Sequence, residues 1–222
     1  MSESKLGIWL VGARGGVATT ATVGLCALAK GLAGGAGLVT HLPRFEGLSL
    51  PSWGSFVVGG HEIRGVRLLD EAQRLANDNR AIAPEVVDRI RDDLDEIDRR
   101  IRPGTLFGCG ETISELADAD IPRKETPRQS IERLKSDLLE FAETEGLDHV
   151  TVVNVASTEP RVDATEIPAT WSKLKPLLEK SEGCPLRASS LYAIAAFELG
   201  FSHINFTPSL GSATPALDEL AN

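Results

Sequence analysis

The run Val11-Gly12-Ala13-Arg14-Gly15-Gly16-Val17-Ala18-Thr19-Thr20 directly follows the apolar stretch Leu6–Leu10. Residues of these types at this spacing can bind phosphate. A strand that ends in glycines and opens a helix leaves backbone N–H groups aimed at one spot, where the helix N-terminus adds roughly half a positive charge. Gly12 suits a tight turn, Gly15 or Gly16 lets a phosphate approach the backbone, and Ala18 suits close helix–strand packing. Arg14 stands where a dinucleotide fingerprint has its second glycine. No Lys-Ser or Lys-Thr pair follows, which disfavours a nucleoside-triphosphate loop. A purely structural turn is the alternative, since glycine-rich turns also occur without a ligand.

A dinucleotide site also uses an acid about twenty residues past its glycines, to accept the ribose hydroxyls. That window holds Leu38-Val39-Thr40-His41 and no acid. Either a 2′-phosphate lies near His41 and Arg44, or the acid comes from elsewhere, with Glu62 the best candidate. An exposed loop carboxylate is the plain alternative for Glu62.

In open parallel sheets ligands gather beyond the carboxyl ends of the strands. Three further clusters follow strand-like segments: Gly59-Gly60-His61-Glu62, Ala156-Ser157-Thr158-Glu159, and residues 205–212, which read Asn-Phe-Thr-Pro-Ser-Leu-Gly-Ser. Small and hydroxyl-bearing residues dominate, as a close backbone approach to a cofactor requires. His61 has no second ligand at a metal-site spacing, so no metal is expected. His149 and His203 each open a strand and read as edge or hydrogen-bonded residues. The triplet Asn205-Phe206-Thr207 matches a glycosylation acceptor, but no signal peptide accompanies it. No nucleophile elbow, cysteine–histidine signature or paired carboxylates support independent hydrolase chemistry.

The elements that must position these clusters alternate. A strand over 6–11 leads into a helix over 16–30 that Gly31 can end, and 37–42 gives a weak second strand. A firmer strand covers 55–63. Helices are expected over 70–77 and, started by Pro84, over 84–101, where Val87, Ile90, Leu94, Ile97 and Ile101 recur at helical spacing. The acids and arginines of 92–100 read as the solvated face of that helix. Thr126-Pro127 caps a helix that ends near Gly146, before a β-branched strand over 149–155. Helices over 171–180 and 189–199, a strand over 201–206 and a helix over 213–221 complete the pattern. The reading is an α/β fold, Rossmann-like and doubly wound, with a mainly parallel sheet covered on both faces.

The 222 residues suit one domain, taken as 1–222, with ordinary apolar and charged fractions of 42% and 25%. A net charge of −9 without a basic block gives no footprint for nucleic acid or anionic lipid. Three distant cysteines, Cys26, Cys109 and Cys184, suit a reduced compartment. Without a long apolar segment or a leader, the expected location is the cytoplasm, away from membranes.

Taken together and in order, the four clusters resemble the myo-inositol-1-phosphate synthase (inositol-3-phosphate synthase) family. Residues 56–63, Phe-Val-Val-Gly-Gly-His-Glu-Ile, are similar to that family's Phe-Val-Val-Ser-Gly-Trp-Asp-Ile. Residues 152–159, Val-Val-Asn-Val-Ala-Ser-Thr-Glu, are similar to its Val-Leu-Trp-Thr-Ala-Asn-Thr-Glu. The stretch from Ile204-Asn205 to Leu217 resembles its Ile-Asn-Gly-Ser-Pro-Gln-Asn-Thr segment and the proline after it, and Glu219-Leu220-Ala221 continues the likeness. The departures are Arg14 and Ala18 where the family favours glycine, and a last cluster one residue longer, with Leu210 and Gly211 among its changes.

The resemblance implies an NAD site in which Gly12, Ala13, Arg14, Gly15, Gly16, Val17, Ala18 and Thr19 form the phosphate loop. Glu62 would stand for an aspartate near the adenosine ribose, and Ala156, Ser157 and Thr158 would line the nicotinamide side. Thr207, Ser209, Gly211 and Ser212 would lie in a sugar-phosphate cradle. The implied reaction turns glucose 6-phosphate into an inositol phosphate by oxidation with NAD, enolisation, aldol closure and return of the hydride. Enolisation and closure need a base and cations for the oxyanions. In the family these are lysines after a Gly-Asp-Asp segment, downstream of the match to 219–221. The resemblance therefore covers the first half of an oligomeric enzyme, and this chain alone is expected to be inactive. A sugar-phosphate dehydrogenase that releases NADH and a non-catalytic NAD-binding module are the alternatives.

Overall fold

The computed structural model describes residues 4–78, 80–180 and 182–222. Strand β1 (Leu6–Val11) leads into helix α1 (Gly16–Ala29), and strand β2 (Phe56–Glu62) follows a long connection. Then come α2 (Leu68–Asn77), α3 (Pro84–Arg89), α4 (Arg91–Asp98), β3 (Ile101–Pro103), α5 (Glu111–Glu115) and α6 (Pro127–Glu145). The chain continues through β4 (His149–Asn154), α7 (Trp171–Leu174), α8 (Ala188–Glu198), β5 (Ser202–Asn205) and α9 (Pro215–Ala221). The sheet order is β3-β2-β1-β4-β5, and every pairing is parallel. This is the doubly wound arrangement that the alternation of elements predicts.

Strand periodicity divides the core in two. On β1, Trp9 and Val11 face a cluster built with Ile131, Leu134 and Leu138 of α6 and Leu191 and Ile194 of α8. Leu10 faces the other cluster, built from α1, α2, α3 and α4 with Ala18, Leu68, Ile90 and Leu94. Side chains that alternate across a strand make both faces apolar, so both must be covered. Trp9 fits because β2 has glycine opposite it: a Cβ on Gly59 would lie 2.8 Å from the indole ring. The register levels the strand ends, with Val11 beside both His61 and Asn154.

The helix over 127–145 starts as Thr126-Pro127 predicts, with the Thr126 hydroxyl accepting from the Gln129 amide and Gln129 returning the bond. Three expectations are corrected. Residues 37–42 form no strand; Val39–His41 is a 3-10 turn with Val39 exposed, because no neighbouring strand pairs with it. The helix expected over 84–101 breaks at the fully buried Ile90 (φ −115°), so that α3 and α4 each pack against α2. Ile101 leaves the helical series to pair with Gly60 in the short strand β3. Finally, α7 ends at Leu174 and passes into a 3-10 turn, Lys175–Glu179, that contains Pro176. A proline removes a helical donor and favours such tightening.

Candidate functional site

A cleft of about 340 Å³ opens beyond the carboxyl ends of β1 and β4. From β1 the chain leaves into α1 on one face of the sheet, and from β4 it leaves toward α8 on the other. Such a divergence forms a crevice that the sheet itself cannot fill.

The loop after β1 is pinned by its backbone. Gly12 turns with φ +81°, and a Cβ there would lie 2.9 Å from Cα of Ala156, so only glycine fits without strain. The amides of Gly12 and Ala13 donate to the His61 carbonyl at 2.9 and 3.1 Å, and that of Gly15 donates to the Gly12 carbonyl at 2.8 Å. The first three helical amides, those of Gly16, Val17 and Ala18, have no acceptor within the helix. No side chain caps them, and the first turn carries no acid. The positive end of α1 is thus left for an external anion.

Glu62, at the end of β2, anchors that loop. Its side chain is only 3% exposed. One oxygen accepts the amides of Ile63 and Arg64 at 2.8 and 3.2 Å. The other accepts the Arg14 amide at 2.9 Å and faces the Arg64 guanidinium at 3.4 Å. Arg64 also donates to the Arg14 carbonyl. The Arg14 side chain turns away from the cleft, with Nε donating to Asp98 Oδ1 at 2.8 Å, and the same oxygen accepts the Leu68 amide at 3.0 Å.

The opposite wall is held by amides and hydroxyls. Asn154 Oδ1 accepts the Ala156 amide at 3.2 Å, and Asn154 Nδ2 donates to Asn205 Oδ1 at 3.1 Å. Glu159 accepts from the Ser189 amide and hydroxyl at 2.7 and 2.5 Å, which satisfies the start of α8. The Glu159 amide in turn donates to Ser209 Oγ at 3.0 Å. The floor includes His61. The Trp9 indole N–H donates to its Nδ1 at 2.7 Å, so Nε2 carries the proton and donates to Asp137 at 3.0 Å. Burial holds the imidazole pKa below its usual range. Burial likewise pushes up the phenol of Tyr192, whose oxygen accepts the Thr105 amide at 3.0 Å.

Of the residues singled out in the sequence, Gly12, Gly15, Gly16, Val17, Glu62, Ala156 and Ser157 line the cleft together. Ala13, Ala18 and Thr19 are buried beneath it. Arg14 contributes its backbone, and Thr158 is exposed outside it. Thr207, Ser209, Gly211 and Ser212 do not line the cleft; Ser209 and Gly211 back its wall, the Gly211 amide donating to Ser189 Oγ at 3.2 Å and the Ser190 hydroxyl donating to the Gly211 carbonyl at 2.7 Å. His41 and Arg44 lie in the exposed connection and do not line the cleft. Arg64, Thr105, Cys109, Ile113 and Leu116 line it without having been singled out. Recognition of β3 would have flagged Thr105 as a strand-end residue.

A parallel sheet of this order, with a glycine turn opening α1 and an acid ending β2, defines a dinucleotide-binding domain of the Rossmann-like class. Residues 6–222 match the NAD-binding family model described as myo-inositol-1-phosphate synthase. The chain belongs to that family and corresponds to its NAD-binding domain; the family's inositol-3-phosphate synthases are isomerases. It is 25% identical over 231 residues to inositol-3-phosphate synthase 1 of Bacteroides thetaiotaomicron, covering 99% of this chain and 52% of that protein. To inositol-3-phosphate synthase 1 of Oryza sativa subsp. japonica it is 26% identical over 243 residues, covering 98% of this chain and 46% of the relative. The crystal structure of inositol-3-phosphate synthase from Caenorhabditis elegans shares the fold with a TM-score of 0.81 at 19% identity, over 99% of this chain and 47% of that one. A myo-inositol-1-phosphate synthase-related protein from Thermotoga maritima does so with a TM-score of 0.65 at 22% identity, over 97% and 51%. The chain spans about half the length of the curated relatives it matches. No helix among the described residues is long and apolar enough to cross a membrane.

Proposed function

We propose that this chain supplies the cofactor-binding half of an inositol-3-phosphate synthase, which converts D-glucose 6-phosphate to 1D-myo-inositol 3-phosphate in the cytoplasm as a homo-oligomer. The observation that carries the reading is the cleft at the divergence of β1 and β4, with uncapped α1 amides on one side and the 156–159 turn on the other. In this reading the amides of Gly16, Val17 and Ala18 hold the pyrophosphate, aided by the close approach that Gly12 and Gly15 permit. Glu62 faces the adenosine ribose, and Ala156, Ser157 and Thr158 border the nicotinamide. NAD, when bound, supplies the hydride acceptor and returns the hydride within the cycle. Thr207, Ser209, Gly211 and Ser212 belong to the sugar-phosphate end; there Ser209 and Gly211 bond to Glu159 and Ser189 of the wall.

Two measurements test this. Calorimetric titration of the chain should give saturable NAD binding, and the uninterrupted coding sequence, expressed and supplied with NAD, should form inositol phosphate from glucose 6-phosphate without net NADH. Accumulating NADH would turn the reading into a dehydrogenase. Binding without any turnover of the complete protein would turn it into a non-catalytic module.

A further inference from the structure

The end of β3 is built by side chains rather than by the sheet. The strand pairs only over Ile101–Pro103, and the Gly104 amide then reaches the Glu62 carbonyl at 2.8 Å. Two helices on one face of the sheet hold the chain beyond it. From α6, Arg133 donates to the carbonyls of Pro103 and Gly104 at 2.7 and 3.0 Å, and Ser130 Oγ lies 3.2 Å from Thr105 Oγ1. From α8, the Tyr192 oxygen accepts the Thr105 amide. A Cβ on Gly104 would lie 2.8 Å from that oxygen, so the phenol reaches the strand end only past a glycine.

The Tyr192 hydroxyl is thus occupied as an acceptor, while its proton has no acceptor among the described residues. The polar groups around it are committed elsewhere. Both ring nitrogens of His61, whose ring centre lies 5.4 Å from that of Tyr192, face Trp9 and Asp137, and the Thr105 and Ser130 hydroxyls continue to Glu125. Tyr192 is only 4% exposed, and it lines the cleft. Buried donors carry a partner in nearly all folded proteins, and one without it is costly. We infer that Tyr192 is a cofactor-binding residue: its oxygen holds Thr105 at the cleft wall, and its proton goes to an oxygen of the ADP half of the dinucleotide. The inference rests on the dinucleotide reading of the cleft. The ADP half follows from the place of the phenol oxygen, at the ends of β2 and β3 and away from the 156–159 turn. Burial keeps the phenol protonated, and so a donor, at neutral pH.

Tyr192 is the only tyrosine of the chain, so carbon-13 placed at the hydroxyl-bearing ring carbon of tyrosine gives a single resonance in the wild type. Donation moves electron density onto the phenol oxygen. Saturation with NAD or ADP-ribose should therefore shift that resonance downfield, toward its phenolate position, whereas nicotinamide mononucleotide should leave it in place. In calorimetry, Tyr192→Phe should weaken NAD and ADP-ribose alike by about fivefold, the scale of one neutral hydrogen bond. Ser130→Ala, which loosens Thr105 without touching the phenol, should weaken them by less. A resonance that stays in place or moves upfield under saturating NAD overturns the inference, whether or not Tyr192→Phe folds, and so does a shift produced by nicotinamide mononucleotide alone. Unchanged NAD affinity in a folded Tyr192→Phe, or equal losses in the two variants, overturns it as well, because the phenol is then scaffold only. A wild type that binds neither NAD nor ADP-ribose overturns the underlying reading instead.

Discussion

On the β1–β2 wall of the cleft the fixing groups are charged: Glu62, Arg64, Arg14 and Asp98 tie the glycine turn to β2, α2 and α4. On the β4 side they are Asn154 and Ser189 on the wall, backed by Asn205, Thr207 and Ser209, with Glu159 as the single carboxylate among them. The first wall holds its loop by a few directional bonds to charged side chains. The second spreads its hold over many neutral bonds and shapes the site by short side chains.

The largest expected effect breaks the contact where the walls meet. Gly12→Val places a β-branched residue at φ +81° and its Cβ against Ala156. Strain and overlap together should lower stability by about 2 kcal/mol or more and abolish NAD binding. Urea denaturation and calorimetry check this; a variant with unchanged NAD affinity would show that the turn is remote from the ligand.

Next comes the neutral wall. Glu159→Ala leaves the Ser189 amide and hydroxyl without their acceptor at the start of α8. The cost should be about 1–3 kcal/mol in chemical denaturation. Affinity for ADP-ribose, which has no nicotinamide, should change far less than affinity for NAD. Equal losses for both ligands would erase the distinction between the walls.

Much of this was legible in the sequence because the alternation of strands and helices is carried by long, regular segments. The glycine turn, β2, α6 and β4 lie where apolar periodicity and the Thr126-Pro127 start place them. Glu62 escaped the spacing rule because residues 30–55 form a long connection without a strand, which carries the acid far from the glycines although it still ends the neighbouring strand. Ile90 and Ile101 kept helical spacing while the backbone did not, since packing on α2 and pairing with Gly60 override a periodic pattern. Asp98 read as one more acid on a solvated face, yet it supports both Arg14 and the Leu68 amide. Only the tertiary fold brings 14, 62, 68 and 98 together, and no local pattern encodes that meeting.

The smallest effect compares one histidine from each half of the sheet. His61 is wholly buried but has Trp9 and Asp137 as partners, whereas both ring nitrogens of His203 on β5 are buried without one. Burial pushes the His203 pKa down to about 4. A base whose folded pKa is depressed leaves the unfolded state binding more protons between that value and about 6.5, so stability rises with pH across this window. The contribution is complete above 6.5 and is lost as pH falls toward 4. At pH 6 the loss should be under about 1 kcal/mol, growing with further acidification. His203→Phe removes the titrating group and keeps a ring against Phe197, which His203 meets edge-on at 6.0 Å. Thermal melts of both proteins from pH 7.5 to pH 5 should show a shallower decline for the variant. Parallel declines would move the acid sensitivity to His61 and the charged wall, where loss of the carboxylate pairs would be its cause.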